Sequence, residues 1–535
     1  MSMESRNNIP VVVGVTGHRV IRRQDRPALA AAVKAELEKL RALCPHSPLV
    51  MLSSLAEGAD LLCADVAEEL NIPLLAVLPR ERADYESDFS PEALARFAHH
   101  CERAEQVFVA PNTGTVPSGG VSRADQFRQA GIYVAFHCHV LLALWDGEPG
   151  KHGCGTAEAV DFALNGSYDP ASGVSPRSAS NEAVIHIFTP RKERIKKAAG
   201  TVAVLGNREA VRDILRKTDD FNRNAATVSP AGDSRLPAGY EGDFALKKLE
   251  NISRVAGGLS RQYARRYRRV LALLAGASAL LTFAFLLYDE AQMIWMILVC
   301  GLMLLAAWGC QRYAVRSDCH RRYIEYRALA ECLRVETYLR YAGSRIRASG
   351  LLSWTQQEET AWILDALCAL AIGNAAGKTH DIRSCWVEAQ REYHQKAAKN
   401  AGEKLSVSDR AVQFALILSV GLYLLGVGYE LFCGGLIFEP ALALKNVELW
   451  RTVLKILMGT ISAVTLFTAN FYGRLSLPRT LSDHQKMERF YEKISVEIEK
   501  YGQTEALLTV LAREELTENG NWCSYQRDNK PDVSL

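Results

Sequence analysis

HVLLALWDG (139–147) and, five residues on, GCGTAEA (153–159) read as one unit: a strand, a glycine-rich turn and the start of a helix. The first run has the length and unbroken apolarity of a strand buried on both faces. The glycines let backbone approach a ligand closely. A helix opening after them aims free amide hydrogens and the positive end of its dipole at that ligand. The unit recurs upstream. PVVVGVT (10–16) reads as a buried parallel strand, and Asp25 is expected to cap the next helix, with Pro27 in its first turn and Leu29, Val33, Leu37 and Leu40 at helical spacing. PLVML (48–52), PLLAVL (73–78) and QVFVA (106–110) add strands, and AVIHIF (183–188) is expected to close the series. Alternation of this kind predicts an α/β, doubly wound parallel sheet with right-handed crossovers.

At 535 residues the chain exceeds what one hydrophobic core serves, so two or three domains are expected. A mean hydropathy near zero and 23% charged residues describe a water-soluble protein only on average. Polar and apolar residues are segregated along the chain. A net charge of +3 gives no reason to expect nucleic acid as a partner. Thirteen cysteines without a CxxC pair argue against a disulfide framework or a structural zinc site, and fit reduced thiols in a cytosol. The opening MSMESRNNIP lacks a basic and then apolar signal pattern, so the first domain is expected to stay in the compartment where it is made.

Ligands on doubly wound sheets sit beyond the carboxyl ends of the strands. Four loops fall there: TGHR (16–19), SSLAEGAD (53–60), LPRER (78–82) and DGEPGKHGCGT (146–156). Gly17, Gly58, Gly153 and Gly155 permit close approach and positive φ, and Thr156 is placed to cap a helix beginning at Ala157. Arg19, Arg80 and Arg128 offer bidentate contacts to a phosphate or carboxylate.

VGVTGHR, SSLAEGAD, the helical arginine of RADQFRQAGIYVA, LLALWDG and GCGTAEA, in that order, resemble the SLOG superfamily over about residues 10–192. This is the Rossmann-like group containing the DprA/SMF and LOG proteins and the sensory domains of TRPM channels. The resemblance implies a pocket for a nucleotide-derived ligand, such as a cyclic nucleotide or an ADP-ribose derivative, and no further cofactor. It places Thr16, Gly17, His18 and Arg19 on phosphate or ribose, Ser54, Glu57, Gly58 and Asp60 on ribose or the second loop, and Gly153, Gly155 and Thr156 as amide donors. Arg80, Arg128, Asp146 and Glu158 complete the ligand set. LOG enzymes cleave nucleoside monophosphates with an arginine and the glutamate of PGGxGTxxE. Here Ala159 stands three residues beyond Thr156, and the nearby acid, Glu158, comes one residue early. On a helix that displacement rotates a side chain by about 100°. The carboxylate is therefore expected to point away, leaving a binder rather than a hydrolase.

Residues 270–288 carry no charge, and 293–310 repeat the pattern. As helices these runs measure about 27 to 29 Å, close to the thickness of the hydrocarbon layer. RQYARRYRR precedes the pair and QRYAVRSDCHRR follows it, so both flanks are expected on the cytoplasmic side. A second pair is expected at 412–432 and 452–472, flanked by KAAKNAGEK and GRLSLPR. The whole is then an all-α four-span transmembrane region with cytosolic amphipathic helices. The N-terminal domain and the C-terminus would lie on the cytoplasmic side of an inner membrane.

The pairs read as copies. Ser317-Asp318 and Ser482-Asp483 each open a polar helix, and WVEAQREY (386–393) is echoed by WCSYQRD (522–528). The hairpin with following helices resembles the SLATT family of membrane modules. These accompany bacterial nucleotide-activated defence systems, where they are proposed to form pores. Ser462, Thr465 and Thr468 share a helix face and are pore-lining candidates, with Thr460 and Asn470 nearby. Small hydroxylated residues also pack helices together. Four spans make a poor pore wall, so a homo-oligomer is expected. HCH (137–139) and HHC (99–101) offer metal-type atoms without an evident remote ligand pair, so no metal is expected.

The expected organisation is a SLOG-like domain at 1–195, a helical connector at 196–262, and two hairpin units at 263–400 and 401–535. The expected function is a nucleotide second-messenger sensor coupled to a membrane-disrupting or channel-forming effector in bacterial antiphage defence, linked to a synthase that makes the signal. The alternatives are a membrane-anchored phosphoribohydrolase with Arg128 and Glu158 as catalytic residues, and a nucleotide-regulated scaffold without a pore.

Overall fold

The computed structural model describes residues 8–111, 122–148, 155–166, 183–191, 197–230, 234, 236–237, 243–353, 357, 360–373, 380–432, 446–474 and 477–528. Two units emerge, neither built from one continuous segment. The first comprises residues 1–259, 325–382 and 503–523, and the second 260–324, 383–502 and 524–535.

The first unit is built on a seven-stranded sheet. Its strands are β1 (Val11–Gly17), β2 (Leu49–Ser53), β3 (Leu74–Leu78), β4 (Gln106–Val109), β5 (Val140–Trp145), β6 (Ala183–Phe188) and β7 (Val202–Gly206), in the order β4-β3-β2-β1-β5-β6-β7. All pairs are parallel except β6 with β7. AVIHIF thus does not close the series. VAVLG turns back along it as an antiparallel edge whose Val202 and Val204 remain exposed. β1, β2 and β5 are apolar but for Thr16 and Ser53 at their carboxyl ends, because helices cover both faces.

Those helices are α1 (Arg26–Leu43), α2 (Ala59–Glu69), the short α3 (Arg82–Glu86), α4 (Pro91–Arg103), α5 (Arg123–His137), α6 (Thr156–Asn165) and α7 (Arg208–Ala225). Asp25 occupies the α1 cap position without capping, its carboxylate turned to Arg22 Nε at 2.5 Å. α7 is tied to the first strand by Asn222, which accepts from Ile9 N at 2.8 Å and donates to Ile9 O at 2.9 Å. At Gly17 a β-carbon would lie 2.4 Å from Ala59 Cβ, so only glycine lets α2 meet the end of β1.

α8 (Phe244–Asp289), α9 (Met296–Ser317) and α10 (Cys319–Tyr341) follow, and the division between units falls inside α8 and α10. α11 (Ala361–Leu370), a short apolar helix, is buried from Trp362 to Leu370 and packs against α5 and α7 in the first unit. α15 (Glu505–Asp528) adds Glu515 to Arg334 Nε at 3.0 Å and Trp522 beneath Arg327 at 3.9 Å.

In the second unit a π-turn at Arg383–Glu388 leads into α12 (Ala389–Phe432), which packs against α13 (Val447–Arg474) and α14 (Leu477–Tyr501). The two supposed copies therefore diverge, because most of α10 belongs to the first unit and α14 to the second. Among the described residues three helical stretches are long and apolar enough to cross a membrane: 244–289, 296–341 and 383–432. At most 12% of any of their apolar windows is buried. Leu298, Leu305, Ile417 and Leu424 stand exposed there, a surface that lipid tolerates and water does not.

The expected fourth span falls on α13 and is not among the three, a correction to the count. The side chains of 466–476, Thr468 and Asn470 included, lie outside the described residues, and the described part of the expected span, 452–465, is too short to cross by itself. Thr465 Oγ1 donates to Ile461 O at 2.8 Å and lies 3.3 Å from Ser419 Oγ of α12. Thr460 Oγ1 donates to Ile456 O at 2.7 Å. These hydroxyls satisfy backbone and join helices. Ser462 is exposed on the helix surface. At one end of the bundle Arg451 of α13 takes Glu430 of α12 bidentately, at 2.6 and 2.8 Å, and Lys455 reaches Glu290 at 2.9 Å.

Candidate functional site

The strand order reverses between β1 and β5, and such a switch point opens a crevice beyond the strands' carboxyl ends. A cavity of about 310 Å³ occupies that place. Of the residues singled out from sequence, Thr16, Gly17, Arg19, Ser54, Asp60, Arg128, Gly155, Thr156 and Glu158 line it. Tyr85, Phe127 and Gly131 join them.

α6 begins at Thr156 with Gly155 as its cap residue at φ +133, and no side chain caps it. Thr156 is therefore the first helical residue and not the cap, and among the described residues no acceptor takes the amide hydrogens of the first turn. On α5, Arg128 Nε donates to Glu158 Oε1 at 2.5 Å. The carboxylate does not point away as the one-residue displacement suggested. A helix start one residue earlier than expected and a long arginine side chain bring the two together at the cavity wall. Among the described residues Glu158 Oε2 is buried without a hydrogen-bond partner, a free acceptor for a ligand hydroxyl.

Asp60 lies on the floor, 4% exposed. Its Oδ2 accepts from Ser53 Oγ at 3.1 Å and from Ala56 N at 3.4 Å. Burial pushes its carboxyl up to about 7 against these bonds and the nearby Arg19, so the group is poised to hold or release a proton near neutrality. The Arg19 guanidinium stands over the Phe127 ring at 5.1 Å. Tyr85 is fully buried at this wall, and its ring packs edge-on against Phe89 and Phe97.

The remaining sequence candidates support the lining from behind. His18 Nε2 accepts the Asp146 backbone N–H at 3.0 Å, and Asp146 Oδ2 meets Arg191 Nε at 2.9 Å. Accepting a backbone hydrogen requires a neutral nitrogen, and burial accordingly holds the His18 pKa below its usual value. Glu57 accepts from Ser90 N and Oγ at 3.1 and 2.8 Å, which fixes the start of α4. Gly58, at φ +98, has the His18 and Arg19 carbonyls 2.3–2.4 Å from where a β-carbon would stand. It lets the first two loops touch. Arg80 donates to Asp84 O at 2.6 Å. Gly153 lies outside the described residues.

Both histidine motifs acquire partners the sequence could not supply. His139 Nδ1 accepts from Val12 N at 3.1 Å and His137 Nδ1 lies 2.9 Å from Tyr133 O, so HCH serves the fold. Glu68 of α2 joins His99 and His100, with one ligand atom from each lying within 4.8 Å of the others. Glu68 is also held by Arg103 Nε at 2.8 Å.

Tyr85 and Phe127 were missed because neither carries a motif. Phe127 precedes Arg128 on the helix, and that adjacency was the available signal. A scan against protein-family models and a search of curated proteins match nothing to this chain.

Proposed function

We propose that the cavity at the β1/β5 switch point binds a nucleotide-derived signal and that binding acts on the membrane-spanning helices. The observation that carries this reading is the meeting of a helix amino terminus that no side chain caps, two arginines, a glutamate oxygen without a partner among the described residues and a carboxyl titrating near neutrality at one cavity. Phosphate, ribose hydroxyls and a base find their usual partners in such a set. Exposed helices of membrane length in the same chain supply an output. A ligand shifts that output only through different affinity for its two states. Through its resemblance to SLOG and SLATT modules, the chain acts at the bacterial inner membrane as a homo-oligomer, disrupting it in response to a signal synthase during phage infection. The test is leakage from vesicles carrying the full chain, challenged with cyclic nucleotides and ADP-ribose derivatives. Release that saturates with one compound supports the reading. Saturable binding without release favours a scaffold.

The Arg128–Glu158 pair favours a second reading, hydrolysis of nucleoside monophosphates, because the two groups such an enzyme uses meet at the cavity. Steady release of ribose 5-phosphate that Arg128→Ala and Glu158→Gln abolish would establish it, and its absence would leave a receptor.

A further inference from the structure

Beside the cavity, three guanidinium groups from separate segments converge on one carboxylate. Arg19 follows β1, Arg80 follows β3 and Arg123 opens α5. All three face Asp88, whose side chain is 4% exposed. Arg123 is in direct contact with Asp88 Oδ1. Asp88 Oδ2 lies 3.8 Å from both Arg19 and Arg80, too far for a hydrogen bond, and has no hydrogen-bond partner among the described residues. Arg80 Nε is likewise buried without one. Three cations against one anion leave a surplus of positive charge, and the guanidinium hydrogens are incompletely used. Held this close, like charges repel unless further negative charge arrives.

The cluster adjoins the cavity. Arg19 lines it, and Asp88 N donates to the backbone oxygen of Tyr85, another lining residue, at 3.0 Å. The amino terminus of α6 forms a separate place for an anion at Gly155 and Thr156 on the same wall, with Arg128 beside it in its ion pair with Glu158. One cavity of about 310 Å³ thus borders two places for anions. A nucleoside monophosphate fills one of them.

Building on the nucleotide-site reading above, we propose that the ligand carries at least two phosphoryl groups, one on the amino terminus of α6 and the other on Arg19, Arg80 and Arg123. In this arrangement Asp88 keeps the three arginines from separating while the place is empty. The second phosphoryl group supplies the acceptor oxygens that Asp88 leaves wanting.

The experiment is calorimetry on the full chain in detergent with AMP, ADP and cyclic di-AMP. At least one two-phosphate probe is expected to bind about tenfold or more tighter than AMP, the gain of one charge-assisted contact. Arg123 is 56% exposed on the first turn of α5, so Arg123→Gln folds normally, checked by an unchanged melting temperature. It is expected to weaken the two-phosphate probes by about tenfold and AMP by less than about twofold, with Arg123→Lys between. AMP binding as tightly as both other probes overturns the proposal, as does equal weakening of all three by Arg123→Gln. If none of the three binds, the cavity reading itself fails and this one with it.

Discussion

A carboxyl group buried at a cavity floor ties stability to acidity, and Asp60 is that group. Its folded pKa of about 7 stands well above the ordinary 3.8. Between these values the unfolded chain has lost the proton while the folded one keeps it, so stability falls as pH rises from about 4 to 7 and levels above. The span corresponds to at most about 4 kcal/mol. Thermal unfolding of the Asp60→Asn variant should lack that slope while the parent shows it. A phosphorylated ligand beside Asp60 adds like charge and would raise its pKa further, so binding near neutrality should take up protons. Calorimetry in buffers of different ionisation enthalpy would detect that uptake. The glycines and arginines of this site were legible from position alone, because strand ends announce where ligands sit. The pairing of Arg128 with Glu158 was not. It depends on where α6 begins, and a single residue there moves a side chain around the helix by about 100°.

At the scale of elements, Gly17 sets how closely β1, α2 and β5 assemble. Gly17→Ala would place a methyl group 2.4 Å from Ala59 Cβ and 2.7 Å from Leu144 O. The expected loss is about 1 to 3 kcal/mol, read from denaturant unfolding, with weaker ligand binding as the cavity wall shifts. The apolar runs that formed the strands were plain from sequence, whereas β7 was not, since five apolar residues exposed at a sheet edge carry no alternation to mark them as a strand. α11 escaped for the opposite reason. Its AWILDALCAL is apolar but for Asp365, which fits an insertion, a membrane segment or a core helix alike, and its tertiary neighbours decide. For α9, Leu302→Arg would put a charge midway along an exposed apolar helix. The cost in lipid is about 2.5 to 3.5 kcal/mol, visible as protein lost from the membrane fraction.

For the molecule as a whole, the exposed apolar belt on residues 260–324 and 383–502 predicts that the chain stays with membranes after an alkaline wash and needs detergent to leave them. Recovery in the washed supernatant would refute this. The hydropathy of α8, α9 and α12 was sufficient to find these spans. It was insufficient for α13, where polar residues that bond backbone and neighbouring hydroxyls resemble those that would face a channel. The interleaving of the two units was invisible in sequence, since nothing local distinguishes α10 from α14.

That interleaving bears on the order of synthesis. Residues 503–523 belong to the unit built on the sheet, yet the ribosome reaches them only after every apolar hairpin has emerged. That unit therefore cannot complete itself early. A nascent chain carries an unfinished sheet unit until the last helix is made, and termination between α14 and α15 leaves every span beside an incomplete partner unit.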